Sequence, residues 1–207
     1  MTCSIESARN RTRLMLVAIS GTSGSGKTTL SSHLRQHNAA QLLPSWTTRP
    51  RRASELLQSD YLHVSMTDFD SMDQRGEFAL VTTYAGSKYG TRQDDLVAAG
   101  SSSTLTIADL TAASVAELRT LSITPVFLTF LHVDQQTAEG RMRSRGDTQD
   151  KIDPRKTEFA TDLRSALDIL ASGQQCLVVN AARPTPEVAS AILYAIGLIA
   201  MPEDCQD

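Results

Sequence analysis

Leu14-Met15-Leu16-Val17-Ala18-Ile19-Ser20-Gly21-Thr22-Ser23-Gly24-Ser25-Gly26-Lys27-Thr28 is the stretch on which the fold turns. Leu14 to Ile19 form a continuous apolar run of strand length, as a strand buried on both faces requires. The run passes into Gly21, four residues, Gly26, Lys27 and the hydroxyl residue Thr28, which is the spacing of a phosphate-binding loop. Gly21, Gly24 and Gly26 let the backbone curl until successive N–H groups point inward. The helix expected from Lys27 adds the positive end of its dipole at the same point. The motif assigns Lys27 to the β and γ phosphates of a nucleotide and the Thr28 hydroxyl to a magnesium ion, with Thr29 capping or packing behind. Thr22, Ser23 and Ser25 complete the cradle. A glycine-rich turn that merely joins strand to helix is the alternative. The apolar strand before the loop and the helical period after it favour the phosphate loop.

Working outward, apolar runs of strand length alternate with segments of helical period, the pattern of a parallel sheet wrapped by helices. The class is α/β. Strands are expected at Leu14 to Ser20, Leu42 to Trp46, Thr104 to Ala108, Val126 to Val133 and Cys176 to Asn180. Helices are expected at Lys27 to Gln36, Thr67 to Arg75, Arg92 to Ala99, Ala112 to Leu118, Gln135 to Ser144, Arg155 to Ala171 and Pro186 to Ile199. Two segments break the alternation. Ser45 to Gly90 reads as a small subdomain inserted into a crossover, and Gly146 to Pro154 as a polar loop where a mobile lid would sit. The expected organisation is one domain over 13–200, with tails at 1–12 and 201–207.

The chain has 207 residues, 41% hydrophobic and 21% charged, which is the composition of an ordinary globular protein. A formal net charge of -3 offers no general attraction to nucleic acid or to an anionic membrane, so any phosphate binding must be local. The three cysteines, Cys3, Cys176 and Cys205, show no metal-ligand spacing and suggest a reducing compartment without zinc. The apolar run at Leu14 is too short for a membrane span or a signal-peptide core, which points to the cytoplasm.

After the loop the chain reads Ser45-Trp46-Thr47-Thr48-Arg49-Pro50-Arg51-Arg52, then Glu55, Asp60-Tyr61 and Gly86-Ser87-Lys88-Tyr89-Gly90-Thr91. This pattern resembles the guanylate kinase family of P-loop nucleoside monophosphate kinases. The likeness extends from about Leu14 to Asn180. It implies a parallel sheet core flanked by helices, an acceptor-binding subdomain at about 45–91 and a lid at about 145–155. It implies transfer of a phosphoryl group from ATP, with Mg2+, to a small phosphorylated acceptor, by a monomer or homodimer that binds neither nucleic acid nor membrane. By resemblance, Ser45, Arg49, Arg52, Tyr61 and Tyr89 hold the acceptor's phosphate, Arg141, Arg145 and Arg155 close over the ATP phosphates, and Asn180 contacts adenine. Guanidinium groups suit a phosphate monoester because they grip it bidentately. The alternative for the three later arginines is a helix salted against Glu139 and Asp147. For Asn180 it is an ordinary turn residue.

The chain also departs from the family. Leu80 stands where the family has an acid that hydrogen-bonds guanine, so Leu80 is the candidate wall of the acceptor site and guanine recognition is weakened. The family's Asp-x-Asp aligns with Thr106-Ile107-Ala108, and a one-residue slip makes Asp109 the candidate second acid near the metal. Helix N-capping would explain Asp109 equally well. Phe78-Ala79-Leu80 also resembles the ribose bisphosphate kinases, although Arg49 to Tyr61 keeps the guanylate kinase length. A non-catalytic binding module of the same fold is the third reading, and the intact Gly26-Lys27-Thr28 argues against it.

Overall fold

Leu16 and Ala18 point to one side of a sheet and Val17 and Ile19 to the other, and all four are at most 1% exposed. This period-two division of a wholly apolar strand builds a core on each face. The computed structural model describes residues 16–51, 61–84, 86–123, 125–174 and 176–197. The strand is β1 (Leu16–Gly21), the centre of a five-stranded sheet completed by β2 (Gln41–Leu42), β7 (Thr106–Asp109), β8 (Val126–His132) and β9 (Cys176–Asn180). Their order is β2-β7-β1-β8-β9, with parallel pairing throughout. Parallel neighbours require crossovers, and helices supply most of them.

On one face, Leu16, Ala18 and Phe130 pack against α3 (Gln93–Ser101), α4 (Ala112–Leu121) and α6 (Gln149–Ala171). On the other, Val17, Ile19 and Leu131 pack against α1 (Lys27–Asn38), α5 (Gln135–Ser144) and α7 (Thr185–Ala195). Between β2 and β7 the chain forms a second sheet from β3 (Ser45–Thr47), β4 (Tyr61–His63), β5 (Phe78–Tyr84) and β6 (Ser87–Arg92), with α2 (Met66–Gln74) on it. Its order is β4-β3-β6-β5.

Two expectations need correction. The single strand expected at Leu42 to Trp46 is two strands in different sheets. Leu43 N–H still donates to the Ile107 carbonyl at 2.8 Å, but Pro44 has no N–H to continue the ladder, and the chain leaves for the second sheet. The expected loop at Gly146 to Pro154 is largely helix, because α6 starts at Gln149. Pro154 lies inside the helix, in its second turn, where it can donate no N–H to the carbonyl of Asp150. Only a short turn at Gly146 separates α5 from α6. There Gly146 and Asp147 N–H donate to the carbonyls of Arg143 and Met142 at 2.9 and 3.1 Å. Among the described residues, no helix is long and apolar enough to cross a membrane.

Candidate active site

The loop between β1 and α1 is held close to α5. A Cβ on Gly24, where φ is +85°, would lie 2.4 Å from the Ala138 carbonyl oxygen, so only glycine lets the loop pack there. Gly26 caps α1 at φ +101°. Lys27 Nζ donates to the carbonyls of Gly21 at 2.6 Å and Thr22 at 3.2 Å, which draws the ammonium over the loop. The buried hydroxyls of Thr22 and Ser25 have no hydrogen-bond partner among the described residues. Unpaired buried hydroxyls are costly, and beside an ammonium and a helix N-terminus they suit a polyanionic ligand. Thr28 and Thr29 are exposed on the first turn of α1. Thr29, expected to cap or to pack behind the loop, makes no side-chain cap on α1, whose N-cap is Gly26, and lies exposed at the edge of a cavity beside Ser25.

Arg141 reaches from α5 to the carbonyls of Gly24 and Ser25, both at 3.3 Å, and to that of Ala181 at 3.1 Å. It fastens the loop to the turn after β9. A cavity of about 260 Å³ opens between them, lined by Ser25, Gly26, Thr29, Arg141, Ala181 and Arg183 among others. Asn180 stands next to this turn, exposed, and its Oδ1 accepts from Ala182 N–H at 2.9 Å. That is the geometry of a turn residue.

Arg145 and Arg155 are not at the loop. Both donate to Asp147, Arg155 at 2.6 Å from Nη1 and Arg145 at 2.7 Å from Nε. Burial opposes ionisation of Asp147, but the hydrogen bonds and charges of the two arginines outweigh it and hold the carboxyl below its ordinary range.

The second sheet gathers the acceptor candidates. The Arg49 guanidinium carbon lies 5.3 Å from the Tyr61 ring centroid, within cation-π range, and the Tyr61 and Tyr89 rings meet edge to face at 5.9 Å. Ser45 lies beside Tyr61 in the β3–β4 register. Arg52 lies outside the described residues. The Tyr61 hydroxyl donates to Asp109 Oδ2 at 2.6 Å. Burial, then the Asp109 charge and this hydrogen bond, push the Tyr61 phenol well above its ordinary value. Asp109 ends β7, level with Ile19 of β1, and it does not cap α4. That cap is Thr111, whose Oγ1 accepts from Ser114 N–H at 3.1 Å.

Leu80, Thr82 and Tyr84 alternate along β5 and meet the core body. Leu80 is 4% exposed within the same cluster as Leu96 and Ala108, Thr82 Oγ1 bonds Ser114 Oγ at 2.9 Å, and the Tyr84 hydroxyl lies 3.5 Å from Ser23 Oγ. Leu80 is thus core packing rather than an open wall. Tyr84 was absent from the sequence expectations, and the period-two phase of β5, counted from Leu80, is the signal that finds it. His63 was also absent. Its Nδ1 lies 2.7 Å from the Arg49 carbonyl, and nothing in a lone histidine on a short strand announces that contact.

A parallel sheet with a glycine-rich phosphate loop at the carboxyl end of its central strand, and an inserted sheet facing that loop, defines a P-loop phosphotransferase. A family model described as guanylate kinase matches residues 13–176, and the chain belongs to the guanylate kinase family. It is 29% identical over 154 residues to a guanylate kinase from Nostoc sp., which spans 74% of this chain and 77% of that one. It is 32% identical over 153 residues to a guanylate kinase from Thermosynechococcus vestitus, spanning 73% and 80%. A crystal structure of guanylate kinase from Anaplasma phagocytophilum shares the fold with a TM-score of 0.66 at 18% identity, covering 88% of this chain and 84% of that one. The chain is a nucleotide-binding kinase.

Proposed function

We propose that the chain transfers the γ-phosphoryl group of ATP to the phosphate of a nucleoside 5′-monophosphate, without strong selection for guanine. The observation that carries this reading is the seating of Arg49, Tyr61 and Tyr89 on a sheet that touches the phosphate loop through Tyr84 and the end of β7 through Tyr61. Donor and acceptor sites so joined serve transfer between two phosphates rather than binding alone.

Arg49, with Arg52 from the same motif, Ser45, Tyr61 and Tyr89, grips the acceptor's phosphate. An acceptor oxygen forms a bond to the γ-phosphorus while the bond to the β–γ bridging oxygen breaks. ADP leaves and the acceptor becomes a diphosphate. The attacking oxygen is already anionic, so no strong base is required, and alignment plus charge neutralisation does most of the catalysis. Lys27 supplies positive charge at the loop, while Arg141 holds the loop in shape. Arg145 and Arg155 reach the phosphates only by leaving Asp147. Thr28 and Asp109 would hold a magnesium ion, and a hydroxyl with one carboxylate suits an ion that takes its remaining oxygens from water and phosphate. Such an ion neutralises and orients the phosphates. Asn180 edges the adenine side. A cytoplasmic monomer or homodimer completes the reading.

A coupled ADP-release screen with ATP and magnesium tests it against nucleoside monophosphates, ribose 1-phosphate and ribose 1,5-bisphosphate. Turnover with one or more nucleoside monophosphates is expected. Turnover confined to ribose phosphates would replace the acceptor, and ATP binding without any turnover would replace the enzyme by a binding module.

A further inference from the structure

Arg49 stands in a bend just past β3, beyond the strand ladder that satisfies its neighbours. Side chains satisfy its peptide groups instead. Its N–H donates to Thr47 Oγ1 at 3.1 Å, and its carbonyl meets His63 Nδ1 at 2.7 Å. A carbonyl oxygen cannot donate, so Nδ1 carries the hydrogen, as it does in one neutral tautomer and in the charged ring. His63 pairs with Thr47 in the parallel β3–β4 register, so the two anchors of the Arg49 peptide lie side by side on adjacent strands. The same strand, β4, carries Tyr61, over which the Arg49 guanidinium lies, and the Tyr61 and His63 rings are 6.3 Å apart. One three-residue strand therefore meets Arg49 at both ends, the backbone through His63 and the guanidinium through Tyr61, while Arg49 Nη1 also donates to the Pro50 carbonyl at 3.0 Å.

We propose that His63 is a positioning residue for the acceptor's phosphate: by holding the Arg49 carbonyl it preorganises the guanidinium before the acceptor arrives. This rests on the reading of Arg49 as an acceptor-phosphate residue. An arginine released from such an anchor must be ordered by the ligand, and that cost falls on acceptor affinity while ATP affinity is spared. His63 acts through Arg49 and does not touch the acceptor's phosphate.

His63→Phe keeps an aromatic ring and removes the donor, whereas His63→Asn places an amide N–H near the position of Nδ1. Calorimetric binding of the best nucleoside monophosphate, without ATP, should weaken roughly tenfold in His63→Phe and largely recover in His63→Asn. In steady-state assays the acceptor KM should rise by a similar factor, with the ATP KM and the kcat at saturating acceptor within about twofold of wild type. Wild-type affinity in His63→Phe would overturn the proposal. So would equal weakening of ATP and acceptor, or a His63→Asn protein that folds normally yet binds no better than His63→Phe. A wild-type protein that binds none of the monophosphates would overturn the acceptor reading itself, and this proposal with it.

Discussion

The Tyr61 hydroxyl donates to the Asp109 carboxylate at 2.6 Å across the seam between the two sheets. Tyr61 belongs to the inserted sheet and Asp109 to the end of β7, beside the strand that feeds the phosphate loop. A phenol has one proton to give, so Asp109 and an acceptor phosphate compete for it. On the proposed reading, acceptor binding at Tyr61 would then free a carboxylate lone pair of Asp109, the group proposed to hold a magnesium ion.

The Tyr61 phenol also fixes a pH dependence. Burial, and then Asp109, raise its pKa above the ordinary value of 10.0. Above that value the unfolded chain gives up this proton before the folded one does, so the folded state binds more protons and stability falls as pH rises. The contribution is complete below pH 10 and is lost as pH climbs through the raised pKa. Urea unfolding of wild type and Tyr61→Phe at about pH 8 and pH 10.5 should show a steeper alkaline loss in wild type. Parallel losses would show that Tyr61 titrates normally.

Lys27→Ala should leave the fold intact and reduce turnover by at least about a hundredfold, since the ammonium stabilises charge developing on the transferred group. In the protein alone it bonds two carbonyls of its own loop, and losing those bonds should cost little stability. Circular dichroism and thermal unfolding check the first half, and ADP release the second. Retention of most of the turnover would remove Lys27 from the mechanism.

Arg49→Ala should raise the acceptor KM far more than the ATP KM, because a charge-assisted hydrogen bond contributes about 1.5 to 3 kcal/mol, roughly 10- to 150-fold. Arg49→Lys should recover only part of this, since an ammonium cannot form the bidentate fork that a guanidinium offers a phosphate. Steady-state kinetics with each substrate varied in turn decides it. A rise confined to the ATP KM would assign the guanidinium to the wrong phosphate.

The centre of the core sheet was legible because β1, buried on both faces, appears in the chain as an apolar run and β8 as a nearly unbroken one. Cys176–Asn180 and Gln135–Ser144 fall where the reading put them, the helix helped by Asp134, whose Oδ1 caps Thr137 N–H at 2.8 Å. The proline effects were harder. Pro44 ends one strand and diverts the chain to a second sheet, while Pro154 is carried inside α6, and sequence alone does not separate these outcomes. Of the site, the arginines stood out as groups that suit phosphate and the tyrosines through the family resemblance, but their partners did not. Tyr61 and Asp109 are 48 positions apart and His63 lies 14 from Arg49, so those contacts are products of topology. Asp147 was legible as a partner for arginine, yet not that it would hold both Arg145 and Arg155.

The enzyme should discriminate weakly in favour of GMP. Guanine presents N1–H and an amino group, both donors, and a site that reads it must offer acceptors. The position expected to supply one carries Leu80, 4% exposed in the core cluster with Leu96, Ala108 and Leu110. With that position taken up by the core, it offers guanine no acceptor, and each donor left unpaired on binding costs roughly 1 to 3 kcal/mol. Grafting the acid back is a poor test, because Leu80→Glu would put a carboxylate into an apolar core and destabilise the fold. The wild type itself is the better instrument. Specificity constants for GMP, dGMP, AMP, UMP and dTMP should lie within about a hundredfold of one another, the phosphate grip at Arg49, Tyr61 and Tyr89 being common to all. A preference for GMP beyond that, worth about 2.7 kcal/mol of transition-state binding, would mean that another group, with Asp94, Asp95 and Asp109 the candidates, supplies the missing acceptor.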